Sequence, residues 1–446
     1  MRKIKLPKET EITAKLIEEL IEKHQVERSR ILKMKRYYNN DNDIMYREYK
    51  DPNKPQNKLS HNYAKLITDN YVGYLVGKPV SYKSDNENLL EKLNVSFLYN
   101  DEIDNNTTLA QEQSICGYAY ELLYRDELSN VRFTCVDTED TIVVYDNTLE
   151  AKELFAIRYI QVDDDKHKVY VYDKEKEYIY TMENKKIGEL QEENIHYFDD
   201  VPVCTYENNR QRRGDFEGVI TLIDAYDKAN SDTANDFEYF TNALLVISGV
   251  IVEDESDRPL NFKDNRVLNF ANADSKAEYL IKNINDTALE NYKNRLVNDI
   301  HKFSGSVNMS DDNFSNNASG ISLKFKFNSM ELNTSIKESK FKKGLMKRIE
   351  LLTGILKIKS KIKTDTEYTY TEIKPVFTRN IPANETELVE IFNNLYGKLS
   401  DETVFSMLPF VENAKEEIEK VKKQEEESFI DYDFGEDEVE DGVVNE

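Results

Sequence analysis

The chain has 446 residues, 33% of them charged, a formal net charge of −25 and no Trp, but 28 Tyr and 20 Phe. That length allows roughly two to four domains with sizeable cores, and the aromatic content suits packed interiors or broad interfaces rather than disorder. Three cysteines without CxxC spacing (Cys116, Cys135, Cys204) offer no zinc framework, and the longest apolar run, 243–252, is far short of the ~20 residues a membrane span needs.

The opening MRKIKLPKET has no apolar stretch behind it and is not read as a signal peptide. Together with the scarce cysteine this places synthesis and use in cytosol-like, reducing conditions. Residues 9–38 space Ile12, Leu16, Leu20, Ile31, Met34 and Tyr38 on helical steps. DPNKPQNKLS is a loop, a second helix is expected from about Asn62 to Leu75 with Gly77 and Pro79 closing it, and 88–115 reads as helix again.

From Ala119 to Phe198 the period falls to two, in stretches rich in Val, Ile, Tyr and Phe, which predicts an antiparallel meander. Asp163, Asp164 and Asp165 fall between two such strands and read as a solvated hairpin tip rather than a metal site. After the polar, basic break ENNRQRRGD helix returns, with Asp215 as candidate N-cap. Val219, Ile220, Ile223, Tyr226, Ala229, Phe237, Leu244 and Leu245 share one stripe, and unbroken this helix would reach about 50 Å. Residues 249–282 read as short strand and turn, and helix resumes over TALENYKNRLVNDIHKF.

The next stretch, GSVNMSDDNFSNNASG from Gly305 to Gly320, holds no Lys or Arg and only Val307, Met309 and Phe314 as large apolar residues. A loop of that length between two helical patterns is functional or disordered far more often than it is a plain connection. Beyond it, Ile321 to Lys363 carries 12 Lys/Arg against 3 Glu. So basic a segment in so acidic a chain needs a negative neighbour, either the protein's own acidic surface or a polyanion. Its first seven residues alternate like a strand while Ile336 onward reads as helix, leaving the helix start open. TEYTYTEIKPVFTRN reads as strand, Asn384 and Glu387 as a capping-box pair, ELVEIFNNLY as a helix ended by Gly397, and a short helix follows Ser400. From Glu412 to Glu446 there are 15 acidic and 4 basic residues, and 429–446 is expected to be a mobile acidic tail.

Catalytic chemistry is not found. GYLVGKPV comes nearest to a phosphate loop, but Gly73 is one residue too close and Pro79 stands where a hydroxyl must reach magnesium. The five histidines are scattered, and Asp431, Asp433 and Gly435 miss the calcium-loop spacing. The chain therefore reads as a non-enzyme with no metal and no cofactor. It is too acidic for tight phosphate binding, and no nucleic-acid recognition module is visible.

Five stretches in order resemble the portal proteins of tailed bacteriophages, siphovirus branch: NYVGYLVGKPVSY (70–82), IDAYDKANSDTANDFEYFTNALLVISG (223–249), NNASGISLKFKF (316–327), RNIPANETE (379–387) and KLSDETVFSMLPFVENAKEEIEKVKKQEEE (398–427). The strand-rich 119–198 matches only in character. The resemblance implies a mainly helical α+β subunit with a wing (1–213 and 321–383), stem helices (214–248 and 283–304), a small α/β clip (249–282), a tunnel loop (305–320) and a helical crown (384–428). It further implies a homo-oligomeric ring of about twelve copies at one capsid vertex of the virion, assembled in the host cytoplasm without any membrane. Double-stranded DNA would pass through without sequence-specific contact. The implied protein partners are the terminase large subunit, the head–tail connector or adaptor, and the major capsid and scaffolding proteins.

Under that resemblance 305–320 projects into the channel. Asn308, Asn313, Asn316 and Asn317 would offer weak, replaceable hydrogen bonds to phosphates, and Asp311 and Asp312 mild repulsion, whereas each Lys or Arg would add affinity to be broken at every step. Lys324 and Lys326 are the nearest basic groups to the channel on this reading. Two other classes share some of these features: a head-assembly or connector protein that never touches DNA, and a nucleic-acid-processing enzyme dependent on a divalent metal.

Overall fold

The computed structural model describes residues 3–49, 55–241, 244–248, 276–280, 286–308, 320–361, 368–380, 385–406, 408, 411, 414 and 417–424. Over the described residues the fold is mixed α+β and about 52% helical. It divides into two compact units, Met1–Met309 with Phe327–Asn380, and Ser310–Lys326 with Ile381–Glu446.

In the first unit, α1 (Ala14–Tyr38) starts at Thr13, whose hydroxyl accepts from the Leu16 N–H. α2 (Tyr63–Val76) is capped by Asn62, which accepts from Lys65 N–H at 3.2 Å, and it ends at Gly77 as the sequence led one to expect. The single helix expected over 88–115 is two, α3 (Glu87–Tyr99) and α4 (Glu102–Cys116). Between them Asp101 takes a left-handed conformation (φ 48°), and the Asn100 side chain bonds to Val131 O (3.1 Å) and Phe133 N (3.1 Å). The break is thus held by a tertiary contact that apolar periodicity does not register.

The period-two region forms two sheets. β3 (Tyr118–Arg125) lies between β4 (Val131–Val136) and β10 (Val203–Glu207), all antiparallel. The larger sheet runs β1 (Ile4–Leu6), β5 (Thr141–Asp146), β6 (Glu153–Asp163), β7 (Lys166–Tyr172), β8 (Lys176–Glu183), β9 (Lys186–Ile195), antiparallel except for the parallel β1–β5 pair. Asp163, Asp164 and Asp165 are exposed at the β6–β7 turn, the hairpin tip expected of them. Ile17 and Leu20 of α1 pack on the inner face of this sheet against Val144, Phe155, Ile157, Val169 and Val171. A second core joins Leu75, Leu93 and Leu109 from α2–α4 to Phe133 and to Phe341, Leu345, Ile349 and Leu352 of α7 (Gly320–Lys361). α7 is helical from Gly320, so the alternating ISLKFKF is its first two turns and not a strand.

The basic segment is this helix, and several of its cations meet carboxylates of the first unit. Lys337 pairs with Asp215, Lys347 with Asp200, and Lys340 lies 3.8 Å from Glu207. Arg348 is wholly buried. Its Nε donates to Glu121 Oε2 (2.9 Å), Nη2 reaches Glu121 Oε1 (2.7 Å) and Asn106 Oδ1 (2.8 Å), and Nη1 meets Glu102 Oε1 at 3.2 Å. Glu121 also accepts from Asn105 Nδ2 (2.6 Å) and Tyr206 OH (2.8 Å), so both its oxygens are satisfied. Burial opposes the guanidinium charge, but Glu121 and the neighbouring tyrosines hold its pKa well above the ordinary value. Gly344, one turn away, lets α7 approach this closely, since a Cβ there would lie 2.5 Å from the Tyr206 ring.

Three expectations are corrected. The helix read through 214–248 ends earlier: a short 3-10 turn (Glu217–Val219) leads into α5 (Ile220–Thr241), and Leu244–Ser248 is a strand, β11, paired with β12 (Lys276–Leu280). LLVIS is apolar on both faces, so its spacing could not separate strand from helix. Leu244 and Leu245 therefore leave the helical stripe. Asp215 is not the cap of α5 but the partner of Lys337. TEYTYTEIKPVF is mostly not strand: a 3-10 turn (Tyr370–Glu372) precedes β13 (Lys374–Val376), which pairs only with β2 (Ser81–Lys83).

α6 (Asp286–Ser304) completes the first unit. The second unit holds α8 (Glu385–Leu395) and α9 (Asp401–Ser406), with Phe392 against Tyr396 and Phe405 and with Gly397 at φ +75° just past α8. Asn384, nearly all of 249–282 and the tail 429–446 lie outside the described residues.

Replacing Arg348 by Met leaves Glu121 and Glu102 buried opposite an apolar side chain. It is expected to cost about 3–5 kcal/mol, measured as the loss of unfolding free energy in urea. Arg348→Lys should recover only part, because one ammonium cannot bond two carboxylates and an amide in a plane. A loss under about 1 kcal/mol in Arg348→Met would contradict this role.

Candidate functional site

The feature singled out by the sequence, Gly305–Gly320, is described at its root. α6 ends at Ser304, and Gly305 turns the chain with φ +73°, a conformation that L side chains rarely adopt. Space is also closed there: a Cβ on Gly305 would sit 2.5 Å from Asn333 Nδ2 and 2.9 Å from Tyr71 Oη. Ser304, Ser306 and Val307 are buried.

Two neighbours on α2 hold this turn. Tyr71 OH donates to Ser304 O at 2.8 Å and accepts from Asn333 Nδ2 at 3.0 Å, while Asn70 Nδ2 donates to Ser306 Oγ at 3.0 Å. The Tyr71 ring in turn carries the Lys337 ammonium, 4.8 Å from its centroid. Lys337 is buried, and burial pulls its pKa down against the opposing pull of Asp215. Asp215 also accepts from Ser114 Oγ (2.5 Å) and Asn208 Nδ2 (2.8 Å), which fixes it on α4 and the start of the helical return. Burial raises the pKa of the Tyr71 hydroxyl and lowers that of the His301 imidazole beside the turn.

A second set lies one turn along α2. Tyr74 OH donates to Glu331 Oε2 (2.7 Å), and Arg379 clamps Glu331 through Nε (2.8 Å) and Nη2 (3.0 Å) while reaching Glu338 at 2.7 Å. Burial opposes the Glu331 charge, yet Arg379, Tyr74 and Ser335 together hold its carboxyl below the usual range. Asn380 N–H closes on Tyr74 O at 3.4 Å. Further along, Asp227 of α5 is buried and accepts from Asn42 Nδ2 (2.6 Å) and from His61 N–H (2.9 Å). Residues 70–74 of α2 and 331–337 of α7 thus meet one another, holding the end of α6 through Ser304 and Ser306 and, one turn along, Arg379 and Asn380.

Of the residues expected to face a channel, Asn308 is half-buried just past this anchor. Asp311, Asp312, Asn313, Asn316 and Asn317 lie outside the described residues. Lys324 falls in the first turns of α7, and Lys326 is half-buried on the same helix. Of the anchoring residues, Asn70, Tyr71, Asn333 and Lys337 were not singled out from the sequence, and Asp215 was read there only as a helix cap. Nothing local in α2 sets Asn70 and Tyr71 apart from its other half-polar residues, such as Thr68 and Asp69. Among the described residues no helix is long and apolar enough to cross a membrane.

The family model described as phage portal protein, SPP1 Gp6-like, matches residues 17–429. The portal protein of Clostridium phage phiCD119 is 26% identical over 441 residues, covering 92% of this chain and 95% of its own. The portal protein of Bacillus phage SPP1 is 26% identical over 473 residues, covering 96% of this chain and 91% of its own.

Gly305→Ala is expected to destabilise the first unit by about 1–2 kcal/mol from the left-handed backbone alone. Contact with Asn333 adds to that. In the background Asn333→Ala the Asn333 part of the contact should vanish while the Tyr71 contact and the backbone part remain, measured by urea unfolding of the single and double variants. A neutral Gly305→Ala would contradict the conformation assigned to the turn.

Proposed function

This chain belongs to the SPP1 Gp6-like family of phage portal proteins, and on that premise we propose that it forms the DNA conduit of a tailed-phage capsid. The family is structural rather than enzymatic, and portal proteins are oligomeric components of the phage capsid. On this reading about twelve copies close into a ring at one vertex. Double-stranded DNA enters through its axis during packaging and leaves by the same path. The terminase large subunit docks outside and supplies ATP hydrolysis; the connector replaces it later, with capsid and scaffolding proteins around the ring.

The observation that carries the reading is the rigid root of 305–320. A segment meant to touch passing DNA must be held at its base while its own side chains grip weakly. Tyr71 and Asn70 hold the base through Ser304 and Ser306. Beyond it, Asn308, Asn313, Asn316 and Asn317 offer exchangeable hydrogen bonds, and Asp311 and Asp312 keep phosphates from settling. The cations that could have made a sticky channel, Lys337, Lys347 and Arg348, are paired inside the protein. Lys324 and Lys326, the first basic groups of α7, stand nearest the channel. In this layout 1–213 with 321–383 form the wing, α5 and α6 the stem, 249–282 the clip and 384–428 the crown.

Replacing Asn313 and Asn316 together by Lys should slow packaging severalfold, with rings still forming, because each added cation must be released at every step. The rate of DNA encapsidation in a reconstituted reaction reads this directly. Unchanged rates with intact rings would remove the tunnel-loop role.

A further inference from the structure

Among the described residues the larger sheet ends in two unpaired edge strands, one flanked by cations beside Asp146 and one rich in carboxylates. β1 and β9 are its outermost strands, about 24 Å apart across five strand spacings. The first eight residues, MRKIKLPK, hold four cations and no carboxylate. Lys5 and Lys8 are exposed, and Lys3 bonds Glu207 at 3.1 Å. Lys340 (3.8 Å) and Arg212 (3.9 Å) crowd the same Glu207 carboxylate, with exposed Lys343 close by. Burial lowers the Lys3 pKa first, Glu207 opposes, and Lys343 and Arg212 lower it further, as expected where cations outnumber their partner.

The opposite edge is acidic. α1 covers only its start, where Glu18 accepts from Ile187 N–H (2.8 Å) and Lys186 Nζ (3.1 Å). From Gly188 to Ile195 every residue is exposed, Leu190 and Ile195 included, and among the described residues no strand lies beyond. Glu193 pairs with Lys176, but among the described residues Glu189 and Glu192 have no ion-pair partner. A long, partly apolar edge strand is a template for pairing with another chain unless something blunts it. Two different, complementary edges on opposite ends of one sheet make a head-to-tail contact, the kind that generates rings.

We propose that the β1 edge of one copy lies along the Gly188–Ile195 edge of the next, with Lys5 and Lys8 against Glu189 and Glu192. The proposal rests on the ring reading above and names one of its subunit contacts.

Edge-swapped variants test it on the full chain. Lys5→Glu with Lys8→Glu gives a copy with two acidic edges, and Glu189→Lys with Glu192→Lys gives one with two basic edges. Each alone should lose at least tenfold in assembled fraction at low salt, read by native mass spectrometry. The two mixed, or all four changes in one chain, should restore assembly. A Lys5→Cys, Glu192→Cys chain should give a covalent ladder with a short bismaleimide that neither single variant gives. The native thiols interfere little, since Cys116 and Cys204 are buried, Cys135 is half-buried and burial raises the pKa of all three. Rings from wild type and from both edge variants alike, without a ladder, overturn the edge contact and leave the ring reading standing. A wild type that stays monomeric overturns the ring reading and the contact with it.

Discussion

A single guanidinium organises the larger unit. Arg348 sits in the second half of a 42-residue helix and is closed on by Glu121, Glu102 and Asn106 with no solvent access. Burying those charges is costly, and their attraction repays the cost only when every lone pair finds a donor. Here Asn105, Tyr206, Tyr82 and Asn106 supply the remaining bonds to the two carboxylates. A network so densely bonded permits one register of α7 against α4 and β3, since a shift of one residue would strand a buried charge. Lys347 on Asp200 and Lys337 on Asp215 repeat the same restraint on either side.

That register decides where the 305–320 segment begins. With Arg348 fixed, the helix presents Lys337 to the Tyr71 ring and Asn333 to the Tyr71 hydroxyl, and Tyr71 holds the carbonyl of Ser304. The chain leaving α6 thus starts from a rigid, neutral, tightly packed turn. Internal pairing also has an electrostatic consequence. The most basic stretch of the sequence spends much of its charge within its own unit, and the outward character of the protein stays acidic. A conduit of the proposed kind would gain from that balance, because strong attraction to a polyanion would slow transport.

Much of this was legible in the sequence where one local rule sufficed. Asn62 and Gly77 bound α2 through capping alone, and strict alternation exposed the meander and its Asp163–Asp165 tip. Legibility failed wherever a distant partner decided the outcome. The break at Asn100–Asp101 depends on β4, and the strand at Leu244–Ser248 depends on a partner some thirty residues away. Asp215 has the chemistry of a cap and looked like one, but Lys337 claims it. For the basic helix the sequence left two partners open, an acidic surface or a polyanion. Only the positions of Glu102, Glu121, Asp200 and Asp215 favour the first. For the candidate site, the composition of 305–320 was plain from the residues, whereas its anchor on Asn70 and Tyr71 was not, since nothing local distinguishes those side chains from other half-polar core residues.

The most direct measurement of the central claim is a cryo-electron microscopy reconstruction of the purified full-length protein. Closed rings with an axial channel, narrowed by the 305–320 segments of every copy, are expected. Particles without a channel, or rings in which those segments face away from the axis, would contradict the account.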